Sequence, residues 1–195
     1  MIVMPAKATP APPADRRTEL VAAAYHEIAQ VGFEGLRTRE VAAAAGVNVA
    51  TLHYYFPSKE TLIRGVLAFA MERFRSTLRS SGSAADQLRS HFAGIRRLVR
   101  EEPELFTVMG ELAMRSSRDP FIRDLHKQNT DHWRATLRTL LARAAADASL
   151  SGPRNPDAQA SLAVAALMGA CMLPPIQAAR LRDIVLELER ALGLE

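Results

Sequence analysis

The sequence predicts an all-α fold in two parts, a small N-terminal three-helix unit and a larger helical region behind it. Three observations carry this. Over 195 residues no stretch alternates apolar and polar side chains as a strand would. Ala, Leu and Arg abound while β-branched runs are few. Helix stop and start signals recur along the chain, at Gly32, Gly46, Pro57, Gly82, Asp119-Pro120 and Asn155-Pro156.

Residues 1–14 are rich in Ala and Pro with one charge, Lys7, and read as a disordered arm. Asp15 can cap a first helix running to Val31, with Leu20, Ala24, Ile28 and Val31 on one side and Gly32 ending it. A second helix begins at Thr38, whose hydroxyl can accept an orphan backbone N–H, and Glu40 sets negative charge in its positive first turn. Its core face is Val41, Ala44 and Ala45. Gly46 lets the chain leave the helix through the left-handed region. The spacing predicts a third helix over residues 47–56, with Leu52, Phe56 and Val49 inward and Ala50, Thr51 and Tyr54 outward, flanked by His53 and Tyr55. That outer face offers a small residue, a hydroxyl, two phenols and an imidazole, which suit phosphate oxygens, base edges and thymine methyls in a major groove. Pro57 stops the helix. Ser58 caps the next one, and Lys59 at its start can reach phosphate beside the helix N-terminus.

Helix, tight turn, short helix and stop, over residues 32–60, is the skeleton of a helix-turn-helix, which makes DNA the first expected partner. Residues 16–75, and most sharply Leu36 to Leu62, resemble the DNA-binding domain of the TetR/AcrR family of bacterial transcriptional repressors. The string Thr38-Arg39-Glu40-Val41-Ala42, then Ala45-Gly46-Val47, Thr51-Leu52-His53-Tyr54-Tyr55-Phe56 and Ser58-Lys59-Glu60, follows the family pattern without a gap. His53 departs from it, standing where the family usually has tyrosine. The resemblance implies phosphate contacts from Thr38, His53, Tyr55 and Lys59, and base-edge contacts from Arg39, Val49, Ala50 and Thr51. It divides the chain into the arm, a helix-turn-helix DNA-binding domain over 15–60, and a helical ligand-binding and dimerisation domain over 61–195.

Ser58 opens a long fourth helix with Leu62, Val66, Phe69 and Phe74 among its apolar positions, the natural lever between the two parts. Ser83 with Asp86 makes a capping-box-like start to a helix ending near Arg100. Pro103 fits the first turn of another, to about Met114. Asp119-Pro120 opens a long helix towards Ala148, and after the loop Ser151-Gly152-Pro153 the pair Asn155-Pro156 repeats the device for a helix to about Met172. Pro174-Pro175 ends it. The last helix, residues 178–192, carries Leu181, Ile184, Val185, Leu188, Ala191 and Leu192 at intervals of three and four, a stripe that needs burial.

From periodicity alone that stripe reads as intramolecular core. The resemblance, here one of helix order and length, implies instead that the last two helices pair with their copies in a four-helix homodimer interface. Leu162, Ala166 and Gly169 on one helix and Leu181, Ile184, Val185 and Leu188 on the other are the expected contacts. A two-fold dimer also has a physical rationale, since one short helix-turn-helix makes few contacts, whereas two read a palindromic operator. The middle helices would then hold a small-molecule effector. His126, Asn129 and Trp133, at i, i+3 and i+7, share a side of one helix, and His91, Phe106 and Met109 lie on its neighbours, so an apolar pocket with a few polar groups is expected there.

Composition narrows the alternatives. The net charge of +4 is no evidence for nucleic acid, because residues 1–60 hold six Lys and Arg against six Asp and Glu, so the excess lies wholly downstream. Local placement matters instead, with Arg37, Arg39 and Lys59 near the docking face. A lone cysteine, Cys171, makes no internal disulfide, and with no long apolar run and no signal peptide the chain is expected in the cytoplasm, without a membrane partner. There is no HExxH, paired CxxC, glycine-rich phosphate loop or nucleophile elbow, and His126 and His132 are six apart, so neither an enzyme, a metal site nor a cofactor is expected. A transcriptional activator with the same outer face would carry the same residues. A helical protein-binding adaptor would leave the Thr51 to Lys59 face without a purpose.

Overall fold

The chain is described by a computed structural model at residues 13–147, 150, 155–172 and 178–194, and among these it forms nine helices and no strand. They are α1 Pro13–Gly35, α2 Thr38–Ala44, α3 Val49–Tyr55, α4 Lys59–Arg75, α5 Ala84–Glu101, α6 Pro103–Ser116, α7 Pro120–Ala146, α8 Pro156–Cys171 and α9 Ala178–Leu192. The expectations for the arm and for the Ser151–Pro153 and Pro174–Pro175 breaks fall mostly or wholly outside the described residues.

Short polar side chains start most of these helices by accepting the first free backbone N–H groups. Ser83 accepts from the Asp86 N–H at 3.1 Å, Asn155 from Ala158 at 3.1 Å, and Asp119 from both Phe121 and Ile122. Ser58 and Thr61 form a reciprocal capping box with both bonds at 3.2 Å. Proline opens α6, α7 and α8, where a missing N–H costs nothing.

Several boundary expectations are corrected. Asp15 lies inside the first turn of α1, which starts at Pro13. Gly32 does break the helix, with φ 69°, but helical turns resume and carry α1 to Gly35. Val31 points outward, half exposed. In α2 the cap position is Arg37, which makes no side-chain cap bond, so Thr38 is the first helical residue and not the cap. The buried pair there is Val41 and Ala42, and Ala44 is exposed.

One continuous apolar core runs from Leu20 to Leu194. In the N-terminal part Leu20, Ala24, Ile28, Phe33, Val41, Leu52, Phe56 and Leu62 close it. Gly65 lets α4 press onto that part, since a Cβ there would sit 3.0 Å from Val21 and 3.3 Å from the Phe56 ring. A boundary at residue 60 therefore falls in the first turn of a helix that packs into both parts. Behind it, α9 lies on α5 and α8, and α7 packs against α5, α6 and α8. Arg96 of α5 pairs with Glu189 of α9, a residue only 8% exposed, and the Arg89 Nε–H donates to the Leu194 carbonyl at 3.0 Å.

Candidate nucleic-acid interface and internal cavity

The turn between α2 and α3 is a Schellman motif. The Gly46 N–H donates to the Ala43 carbonyl at 3.0 Å and the Val47 N–H to the Ala42 carbonyl at 2.9 Å, with Gly46 at φ 66°. No atom lies within 4 Å of a Cβ built at Gly46, so the glycine is needed for its conformation and not for space. Asn48, which sequence reasoning placed inside the helix, is the cap of α3. Its Oδ1 accepts the Thr51 N–H at 2.8 Å and the Thr51 hydroxyl at 3.0 Å. Removing such a cap costs about 1 kcal/mol. The helix thus starts at Val49, two residues later than expected.

Leu52 and Phe56 are buried beneath α3, and Val49 and Tyr55 lean half-buried on the core. Ala50, His53 and Tyr54 face outward, Tyr54 at 81% exposure, its ring edge-on to Tyr55 at 5.2 Å. Thr51 is half-buried with its proton committed to Asn48, so its oxygen is what remains to accept. Thr38 is half-buried at the start of α2 and Arg39 is exposed beside it. Lys59 is half-buried at the start of α4. Its ammonium donates to the carbonyls of Phe33 at 3.1 Å and Leu36 at 3.4 Å, and burial, aided by nearby Arg115, holds its pKa below the usual lysine value. Two of its three N–H donors therefore fasten the α1–α2 connection, leaving one to point elsewhere. Arg17, unnoticed in the sequence, lies over the Phe56 ring at 4.8 Å.

Three polar links join this unit to α6. Glu111 accepts the Phe33 N–H at 3.2 Å just past the Gly32 break, and a Cβ on Gly32 would come within 2.9 Å of the same carboxylate. Arg115 pairs with Glu34, and His26 Nδ1 lies 2.5 Å from the Glu104 carboxylate.

A cavity of about 70 Å³ opens between α4, α6, α7 and α8. Leu67, Met71, Phe74, Leu78, Met109, Trp133 and Met168 give its apolar wall, and Arg75, His126, Asn129, Thr130, His132 and Thr136 its polar one. Met109, His126, Asn129 and Trp133 are where the sequence put them. His91 and Phe106 are not part of the lining. Phe106 stands behind Phe74, edge-on at 5.8 Å. His91 has no exposed surface and both ring nitrogens engaged. The Trp133 indole N–H donates to His91 Nε2 at 2.9 Å, so that nitrogen is the acceptor and Nδ1 carries the proton. Nδ1–H then meets the Thr77 hydroxyl at 2.5 Å, which donates to the Phe74 carbonyl at 2.6 Å. This chain ties the cavity wall on α7, through α5, to the end of α4.

Burial pushes the His91 imidazole down to about 4 from its ordinary 6.5. Between those values the unfolded chain takes a proton that the folded one refuses, so folding stability is full above about 6.5 and falls as pH drops towards 4. Urea unfolding at pH 7 and pH 5 should show roughly 2 kcal/mol lost to this group. In His91→Gln, which keeps an acceptor for Trp133, the slope should flatten. An unchanged slope would mean that His91 titrates normally.

On the far side, Leu181 and Val185 are at most 2% exposed and belong to the chain's own core, a correction to their place in the expected dimer face, while Leu188, 6% exposed, lines the shallow outer groove. The outer surface of α8 and α9 is made by Leu162, 52% exposed, by half-buried Ala166 and Ile184, and by Gly169, which has open space above it. Ala166 and Ile184 border a shallow groove edged by Arg180, Asp183 and Glu187. Among the described residues no group of three or more His, Cys, Asp or Glu could hold a metal, and no helix is long and apolar enough to cross a membrane.

Residues 20–66 match the family model for bacterial regulatory proteins of the tetR family, and residues 84–191, more than half of the chain, match that for the C-terminal part of BetI-type transcriptional repressors. The HTH-type transcriptional repressor KstR2 of Mycobacterium tuberculosis is 26% identical over 125 residues, 60% of this chain and 62% of that protein, so under two thirds of the relative is spanned. The HTH-type transcriptional regulator RutR of Escherichia coli is 35% identical over 65 residues, 33% of this chain and 31% of that one. A putative TetR-family transcriptional regulator from Rhodococcus sp. superposes with a TM-score of 0.76 at 24% identity, covering 92% of this chain and 99% of that one. AibR, solved with isovaleryl coenzyme A and operator DNA, superposes at 0.68 with 17% identity, covering 90% and 97%. At these identities the two structures are likenesses of fold alone.

Proposed function

The chain belongs to the TetR family of bacterial regulatory proteins, a family of transcription factors and not of enzymes, and from that premise we propose that it is a homodimeric repressor released from a palindromic operator by a small molecule. The observation that carries this reading is the span of α4. At one end Lys59 grips the α1–α2 connection and Gly65 seats the helix against Val21 and Phe56; at the other, Leu67, Met71, Phe74 and Arg75 line the cavity. Whatever fills the cavity moves a helix that also carries the DNA-facing unit. A second route runs through α6, which gives Met109 to the cavity and Glu111 and Arg115 to α1.

In this reading α3 enters the major groove with Ala50, Thr51, His53 and Tyr54 outermost, Arg39 and Thr38 beside it, and Tyr55 and Lys59 steadying it from below. The outer face of α8 and α9, at Leu162, Ala166, Gly169 and Ile184, meets its copy across a two-fold axis. Two reading helices then address half-sites about 34 Å apart or somewhat more. An occupant of the cavity that favours one tilt of α4 changes that separation, and its leverage is limited to its difference in affinity for the two states. The test is reciprocity. Operator affinity, measured by fluorescence anisotropy with and without effector, must change by the same factor as effector affinity measured calorimetrically with and without operator. Two independent equilibria would sink the proposal.

A further inference from the structure

We propose that the cavity takes a small uncharged aromatic molecule bearing one hydroxyl, held by a hydrogen bond between that hydroxyl and Nε2 of His126; this rests on reading the cavity as the effector site. The Thr130 and Thr136 hydroxyls donate to the His126 and His132 carbonyls one turn back, both at 3.0 Å. The Asn129 amide donates to the Leu125 carbonyl at 2.8 Å, and the Trp133 N–H is spent on His91. Arg75, the lining's one permanent charge, is more than half exposed and paired with Glu72 at 2.9 Å. His132 is exposed to solvent, and among the buried side-chain polar atoms of the lining His126 Nε2 has no hydrogen-bond partner among the described residues. A buried polar atom without a partner costs free energy that an entering group can relieve.

The chemistry of that group follows. Burial holds the His126 imidazole below its ordinary pKa, so it is neutral at pH 7. A neutral imidazole nitrogen is a donor or an acceptor according to tautomer, and a hydroxyl can answer either. A carboxylate inside would meet no buried cation, and burying an unpaired charge is expensive. The rest of the wall favours an aromatic ring. Phe74 and Trp133 stand 6.0 Å apart, and Met71, Met109 and Met168 present thioethers, which make favourable contacts with rings and are flexible enough to enlarge a cavity of about 70 Å³.

The test uses phenol, its carbon isostere toluene, and benzoate as probes, titrated calorimetrically into the full chain and into His126→Leu, with thermal melts to confirm folding. Phenol should bind the native chain at least about tenfold more tightly than toluene, because a site built for a hydroxyl rejects the analogue lacking it, and benzoate should bind more weakly than either. In His126→Leu the phenol advantage should vanish. Toluene binding as tightly as phenol, benzoate binding most tightly, no binding by any probe, or a phenol preference that survives the substitution would each overturn the proposal. Should the variant fail to fold, the His126 imidazole resonances of the native chain must still shift on adding phenol, and their constancy would overturn it as well. Phenol binding that leaves operator affinity unchanged would keep the ligand class and remove the effector reading. Release of operator by benzoate alone would do the opposite.

Discussion

Ala50→Glu is expected to lose operator binding by at least about a hundredfold, about 2.7 kcal/mol, while melting at or slightly above the native temperature. Ala50 is exposed at the second position of α3, so a longer side chain there displaces no core. A carboxylate in the first turn of a helix is favourable by a few tenths of a kcal/mol through the helix dipole. Folding therefore has no reason to suffer. The same carboxylate would point from the centre of the docking face into the most negatively charged ligand a protein meets, at the place where a small residue permits close approach. Anisotropy with labelled operator and a calorimetric melt of the same sample separate the two effects. Unaltered affinity would put the DNA-binding face elsewhere.

Gly110→Ala is expected to destabilise the fold by roughly 3 kcal/mol or more, against the usual gain when alanine replaces glycine inside a helix. A Cβ at position 110 would lie 2.2 Å from the Cys171 carbonyl oxygen and 3.1 Å from its carbon. The obstacle is backbone, so no side chain can swing away, and α6 must separate from α8. Both helices line the cavity, through Met109 and Met168, so the damage extends to the effector site. A urea titration reads the loss in its midpoint. A variant as stable as the native chain would mean that the two helices are less closely packed than they stand here.

The fold was legible where a helix boundary is set by neighbours in sequence. Ser83, Asp119 and Asn155 are short polar residues two or three positions from the N–H they accept, and proline marks the next position in two of the three cases. The outer face of α3 was legible for the same reason, since 100° per residue determines that Ala50 and Tyr54 lie opposite Leu52 and Phe56. Partners distant in sequence were not. Nothing near Lys59 announces that the carbonyls of Phe33 and Leu36 will meet it. Periodicity shows that the α9 stripe must be covered but not by what, and α9 packs on α5 and α8 of the same chain with Leu181 and Val185 buried. His126, Asn129 and Trp133 reach one cavity because one helix face suffices to group them. His91 was misplaced because its position depends on Thr77 and Trp133, contributed by segments 14 and 42 residues away.

Selection of bound sequences from a random duplex library, with the purified chain at two salt concentrations, tests most directly whether this is a dimeric reader of DNA. The expected result is a palindromic consensus whose half-sites lie about one helical turn or somewhat more apart, with affinity falling steeply as salt rises because phosphate contacts release counterions. No enrichment at low salt, or an enriched sequence without two-fold symmetry, would contradict it.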